Sequence, residues 1–155
     1  MWGKFKKKQS SEPTKTEYPV KDISLFELRK AIQKYSSQLP DEVPLSILIN
    51  DDLTIDYEAL APILKAIPKE TYYMSKETYE VFEEKDYQKA LDIDMIQQAV
   101  DKYIQQTDEL PIIHGDPYKR VSYHKLDKLN LISHRPNREF FITDEEYLIT
   151  TQKPS

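Results

Sequence analysis

One pattern is written twice in this chain, over residues 22–83 and again over residues 90–151. Ala31 and Tyr35 answer Ala99 and Tyr103, Val43-Pro44 answers Leu110-Pro111, and Tyr57 and Leu60 answer Tyr123 and Leu126. Tyr72-Tyr73-Met74-Ser75 answers Phe140-Phe141-Ile142-Thr143, and Glu77 and Tyr79 answer Glu145 and Tyr147. The offset stays between 66 and 68 positions, as duplication followed by small loop insertions leaves it. The doubling restricts the fold to a module of roughly sixty residues used in tandem. A module of that size buries little surface and is marginal alone, so the copies are expected to pack as one compact body.

Each copy reads as α-β-α-β(β). In the first, Ser24 is an N-cap, Glu27 completes a capping box, and Ile23 can staple onto Leu28. Leu25, Leu28, Ala31, Ile32 and Tyr35 form one apolar stripe at helical spacing. In the second, Asp92 reads as the cap, Leu91 and Ile96 as the staple, and Ile96, Ala99, Val100 and Tyr103 as the stripe. Short β-like runs follow, Leu45–Ile49 and Ile112–Ile113, each with a polar turn. Short helices come next, at 56–66 and about 122–131, stopped by Pro68 and Pro136. Aromatic strands at 71–74 and 139–142 close each unit. A hairpin is expected after Thr143; after Ser75 hairpin and helix compete, because Lys76–Ala90 is long and charged. The expected fold is thus α+β, two tandem repeats (22–83 and 84–155) related by a pseudo-two-fold, behind a disordered basic tail at 1–21.

Composition narrows the functional classes. There is no Cys, which excludes disulfides and thiolate metal sites and suits the cytoplasm. No apolar run reaches the length of a membrane span, and the basic N-terminus lacks a signal-peptide core. The abundance of Lys, Ile, Glu and Tyr is ordinary for a soluble protein from an AT-rich genome, and a bacterial protein is expected. With only Gly3 and Gly115, no glycine-rich phosphate loop exists, and turns are expected to use Pro, Asp and Asn. No nucleophile elbow or HExxH motif appears. The expectation is a protein without enzymatic activity or cofactor.

Charge separates the copies. Between Asn50 and Glu70, five acids face Lys65 and Lys69, for a net −3. Between Pro117 and Arg138, six cations face only Asp127, for a net +5. A basic face of Lys119, Arg120, His124, Lys125, Lys128, Arg135 and Arg138 points to an acidic partner protein or, less directly, to nucleic acid. The competing reading pairs it with the acidic face of the first copy, within the molecule or in a second copy as a homodimer. His114, Asp116 and His124 could compose a metal site, although histidines ten apart lack helical ligand spacing; no metal is expected. Trp2 and Phe5 among Lys4, Lys6, Lys7 and Lys8 could make weak, reversible contact with an anionic membrane surface.

The run Arg120–Ile132, followed by a basic turn and Arg138–Thr143, resembles the recognition helix and wing of the winged-helix family. The resemblance covers about 25 residues. It implies Ser122, Tyr123, His124, Lys125 and Lys128 facing a DNA groove, with Arg135 and Arg138 on the wing. Pro111, Gly115 and Pro117 stand where that family places the preceding helix. The sequence therefore points first to a protein-interaction or regulatory role for the basic face. A winged-helix-like nucleic-acid binder and a peripheral membrane protein held by its tail are the alternatives.

Overall fold

A computed structural model describes residues 17–153 and shows an α+β chain with small two-stranded sheets. The tail candidates Trp2, Lys4, Phe5, Lys6, Lys7 and Lys8 lie outside the described residues. The chain divides into two compact units that cut across the sequence repeat. One holds the described residues through Pro40 together with Asp56–Glu70; the other holds Asp41–Ile55 and the described residues from Thr71 onward.

The first unit begins at strand β1 (Val20–Lys21), inside the stretch the sequence assigns to the tail. β1 pairs in parallel with β2 (Ile67–Pro68), the Ile67 and Lys69 amides donating to the Pro19 and Lys21 carbonyls. A two-residue strand has no periodicity to read, so the ordered chain starts earlier than 22. Helix α1 (Leu25–Ser37) has the expected capping box: Ser24 Oγ accepts from the Glu27 amide and Glu27 Oε1 accepts from the Ser24 amide. It buries Leu28, Ala31 and Ile32 against α2 (Tyr57–Leu64). Asp56 caps α2 by accepting from the Glu58 and Ala59 amides. Glu70 accepts from the Ile23 amide, and the Tyr57 hydroxyl donates to the Glu70 carbonyl.

The second unit is organised on α3 (Tyr87–Thr107). It buries Ala90, Ile93, Ile96, Ala99, Val100 and Tyr103. Its start corrects the sequence reading. Asp92 is not a cap but lies inside the helix, 3% exposed, and Leu91 is too exposed to staple. A 3-10 turn (Glu84–Asp86) feeds the chain into α3 six residues earlier, and Ala90 and Ile93 extend the apolar stripe toward the N-terminus.

Before α3 comes the hairpin of β3 (Tyr72–Met74) and β4 (Val81–Glu83), which decides the hairpin-or-helix alternative after Ser75. After it, β5 (Phe141–Ile142) and β6 (Ile149–Thr150) form a second hairpin. Each has a six-residue connection, closed by Ser75 N–H to Glu80 O in one and Thr143 N–H to Leu148 O in the other. The Leu45–Leu48 run, expected as β, is a 3-10 turn entered through Pro44, whose lost donor and fixed φ disfavour a paired strand. Only isolated bridges remain: Ile49 with Ile55 and Thr54 with Tyr73, then Ile112 with Val121 and Arg120 with Phe141. With glycine scarce, turns use left-handed residues that carry side chains, among them Leu53, Tyr79, Lys119 and Tyr147.

Two polar side chains of α3 hold the two hairpins. Asp94 accepts from Ser75 Oγ and from the Lys76 and Glu77 amides. Gln97, buried, donates to the Tyr147 carbonyl and accepts from the Ile149 amide. Both sites give fixed partners to backbone groups that are part-buried or, at Ile149, buried. Removing the acceptor leaves the donors stranded, at a cost of about 1–3 kcal/mol. Asp94→Ala is therefore expected to lower the urea midpoint by that free energy with an unchanged m-value, whereas Gln98→Ala, an exposed side chain bonded to Glu77, stays within about 0.5 kcal/mol.

Candidate functional site

Helix α4 (Tyr123–Lys128) starts where the basic run predicts, with Ser122 Oγ accepting from the Lys125 amide. Its apolar anchor is Leu126, fully buried. Its first residue is held from the side, because the Tyr123 hydroxyl donates to the Arg138 carbonyl. Burial, followed by the nearby Asp92 charge, pushes the Tyr123 hydroxyl well above its ordinary value of 10.0, so it remains a donor.

The cations of this region are mostly paired within the second half of the chain. Lys119 meets Asp144 at 2.8 Å. Arg120 meets Glu139 at 2.9 Å through a terminal nitrogen and Asp116 at 3.3 Å through Nε. Arg135 meets Asp127 at 2.7 Å, and Arg138 meets Asp92 at 3.0 Å. None of these partners belongs to the acidic stretch between Asn50 and Glu70. Those acids work locally: Asp56 caps α2, Asp52 accepts from the Thr54 amide, and Asp51 meets Lys76 at 3.5 Å. Among the described residues, Lys125 and Lys128 have no carboxylate within ion-pairing distance.

The four paired cations differ in kind. The Asp92 side chain is 4% exposed and also accepts from Gln88, so Arg138 closes a buried polar network. Losing one partner of such a pair leaves an uncompensated charge. The Lys119–Asp144 and Arg135–Asp127 pairs are exposed, and pairs of that kind contribute about 0–1 kcal/mol.

Beside α4 lies an open cleft of ≈ 350 Å³. Arg120, His124, Arg135 and Glu139 line it, with Ile113 and Val121 as apolar wall. The structure thus gathers three members of the sequence-predicted basic face and adds Glu139, which charge counting did not single out. Arg138 is withdrawn from that face into the Asp92 network. The combination of His114, Asp116 and His124 is not assembled: Asp116 is taken by the Tyr118 amide and Arg120, and no metal-holding group of His, Cys, Asp and Glu occurs among the described residues. Nor does a helix stand between Pro111 and Lys119, where the winged-helix resemblance needs one; that stretch is turns around a single bridge.

The model of a family described as a protein of unknown function, DUF3939, matches residues 18–151. The chain belongs to the DUF3939 family. No curated protein and no solved structure gives a match. The DUF3939 match takes in both hairpins, α3, α4 and the cleft, and leaves out the stretch from Trp2 to Lys8. Among the described residues, no helix is long and apolar enough to cross a membrane.

Two outcomes follow for the pairs. Arg138→Ala is expected to destabilise the protein by about 3–5 kcal/mol, against at most about 1 kcal/mol for Arg135→Ala, both read from chemical denaturation. The Lys119 ammonium, hydrogen-bonded to Asp144, holds that carboxyl below its ordinary 3.8. A lowered folded-state pKa stabilises above the unfolded value and is lost as the pH falls through the folded one. In an NMR titration Asp144 should therefore titrate below 3.8 and move up toward it in Lys119→Gln.

Proposed function

We propose that the chain is a non-enzymatic interaction module of the cytoplasm that binds an acidic segment of a partner protein through α4 and the adjoining cleft. The observation that carries this reading is a pair of cations, Lys125 and Lys128, without a carboxylate partner among the described residues, on a helix that also borders a cleft containing two arginines. Ions that are already paired give little further attraction to a partner, so the free lysines supply the long-range attraction and the cleft supplies contact.

Duplication of an ancestral module is part of the same proposal. Its support is a series of matched local features. The short helices open with Tyr57 and Tyr123, whose hydroxyls donate to the Glu70 and Arg138 carbonyls. The left-handed residues Leu53 and Lys119 accept from the Met74 and Ile142 amides. Both hairpins have six-residue connections with tyrosines at matching left-handed positions, Tyr79 and Tyr147. On this reading the first copy kept acids at its turns and caps, and the second acquired the cations.

A short fluorescent peptide rich in Asp and Glu tests the function by anisotropy, with duplex DNA as the competing arm. The expected result is binding of the peptide, weakened by at least about tenfold in Lys125→Glu/Lys128→Glu and reduced by salt. Tighter binding of the duplex, with a steep salt slope, would favour the nucleic-acid alternative instead.

A further inference from the structure

Arg120 is held unequally by its neighbours. Asp116, whose side chain is 12% exposed, lies against Nε at 3.3 Å, and the guanidinium sits over the Phe141 ring at 5.8 Å. Nε is nonetheless a buried nitrogen without an aligned hydrogen bond, so Asp116 neutralises it by proximity alone. Glu139 approaches differently. It reaches a terminal nitrogen at 2.9 Å from a side chain 56% exposed, inside the cleft.

We propose that the cleft receives an aspartate or glutamate carboxylate of the acidic partner at Arg120, and that Glu139 occupies this position as an exchangeable internal competitor. The proposal rests on the reading of the preceding section and names the contact by which that partner is gripped. Three observations support it. Glu139 already demonstrates that the cleft admits a carboxylate at hydrogen-bond distance from Arg120. Asp116 and Phe141 keep the guanidinium in place when Glu139 leaves, so the site stays preorganised. The exchange keeps a single carboxylate at the Arg120 terminal nitrogen, since Glu139, 56% exposed, can turn out to solvent as the incoming group arrives. A dianionic phosphate would bring a second negative charge beside Asp116 and Glu139, which is why a carboxylate is assigned. Ile113, 42% exposed, offers apolar surface to the methylenes beside the incoming group.

An exposed pair is weak, so removing the competitor has a bounded effect. With the same acidic peptide, Glu139→Gln is expected to tighten binding roughly two- to fivefold. Glu146→Gln makes the same change in net charge on the β5–β6 connection and is expected to leave affinity unchanged. The gain from Glu139→Gln should vanish when Arg120→Gln is added, and Arg120→Lys, which keeps charge but not the fork, should lose most of it. Glu139→Gln alters an exposed side chain, so folding does not confound the main readout. Peptide binding that is sensitive to Lys125 and Lys128 but indifferent to Glu139→Gln overturns the exchange and leaves the acidic-partner reading standing. An equal gain from Glu146→Gln also overturns it, by reducing the effect to net charge. Absence of peptide binding in every variant overturns both.

Discussion

The second unit depends on a small set of polar side chains that α3 carries into its own apolar face. Asp92, Asp94 and Gln97 lie within two turns of one another. Asp94 receives the connection of the first hairpin, Gln97 the connection of the second, and Asp92 the Arg138 guanidinium. Two-stranded hairpins of two or three residues per strand are not stable in water by themselves. Here their turns are completed by a helix whose apolar residues Ile93, Ile96 and Val100 bury in the same unit. Burying polar groups is costly unless each is paired, and each of these three is. Their arrangement converts an expensive set of side chains into a device that fixes register.

The same anchoring reaches the cleft through a short chain of contacts. Gln97 fixes the Tyr147 carbonyl and the Ile149 amide; Ile149 pairs with Ile142 in the β5–β6 hairpin. The adjacent Phe141 bridges to Arg120 through the backbone and carries its guanidinium on the ring face. On the other side, Arg138 is tied to Asp92 of α3, and the Arg138 carbonyl holds Tyr123 at the start of α4. The cleft walls are therefore set by α3 from two directions. A site whose first contacts are held this way loses little freedom when a ligand arrives.

Parts of this were legible in the residues. Ser24 and Glu27 announce α1, because a capping box needs only local sequence. Ser122, Asp56 and the aromatic strands are legible for the same reason. Asp92 was misread because an acid ahead of a helical stripe has the look of a cap; what makes it a buried network residue is Arg138, 46 positions away. Leu45–Ile49 has the composition of a strand, but with Pro44 before it and a single bridge partner at Ile55 it winds into a turn. Left-handed Leu53 and Lys119 carry no local signal, since neither residue type favours that conformation. The cationic face was countable in the sequence, whereas its neutralisation by Asp92, Asp116, Glu139 and Asp144, which lie outside the counted stretch, was not. Charge counting therefore overstated the face; among the described residues, Lys125 and Lys128 are the lysines of that face without a carboxylate partner.

The central claim is that α3 holds both hairpin connections as firmly as it holds itself. Native-state amide hydrogen exchange tests this at two positions whose protection cannot come from strand pairing within the hairpins: Lys76, bonded to Asp94, and Ile149, bonded to Gln97. The account predicts that both amides exchange only with the global opening of the unit, at the rate of the buried α3 amides of Ile96 and Val100. Exchange of Lys76 and Ile149 orders of magnitude faster, while Ile96 and Val100 remain protected, would contradict it.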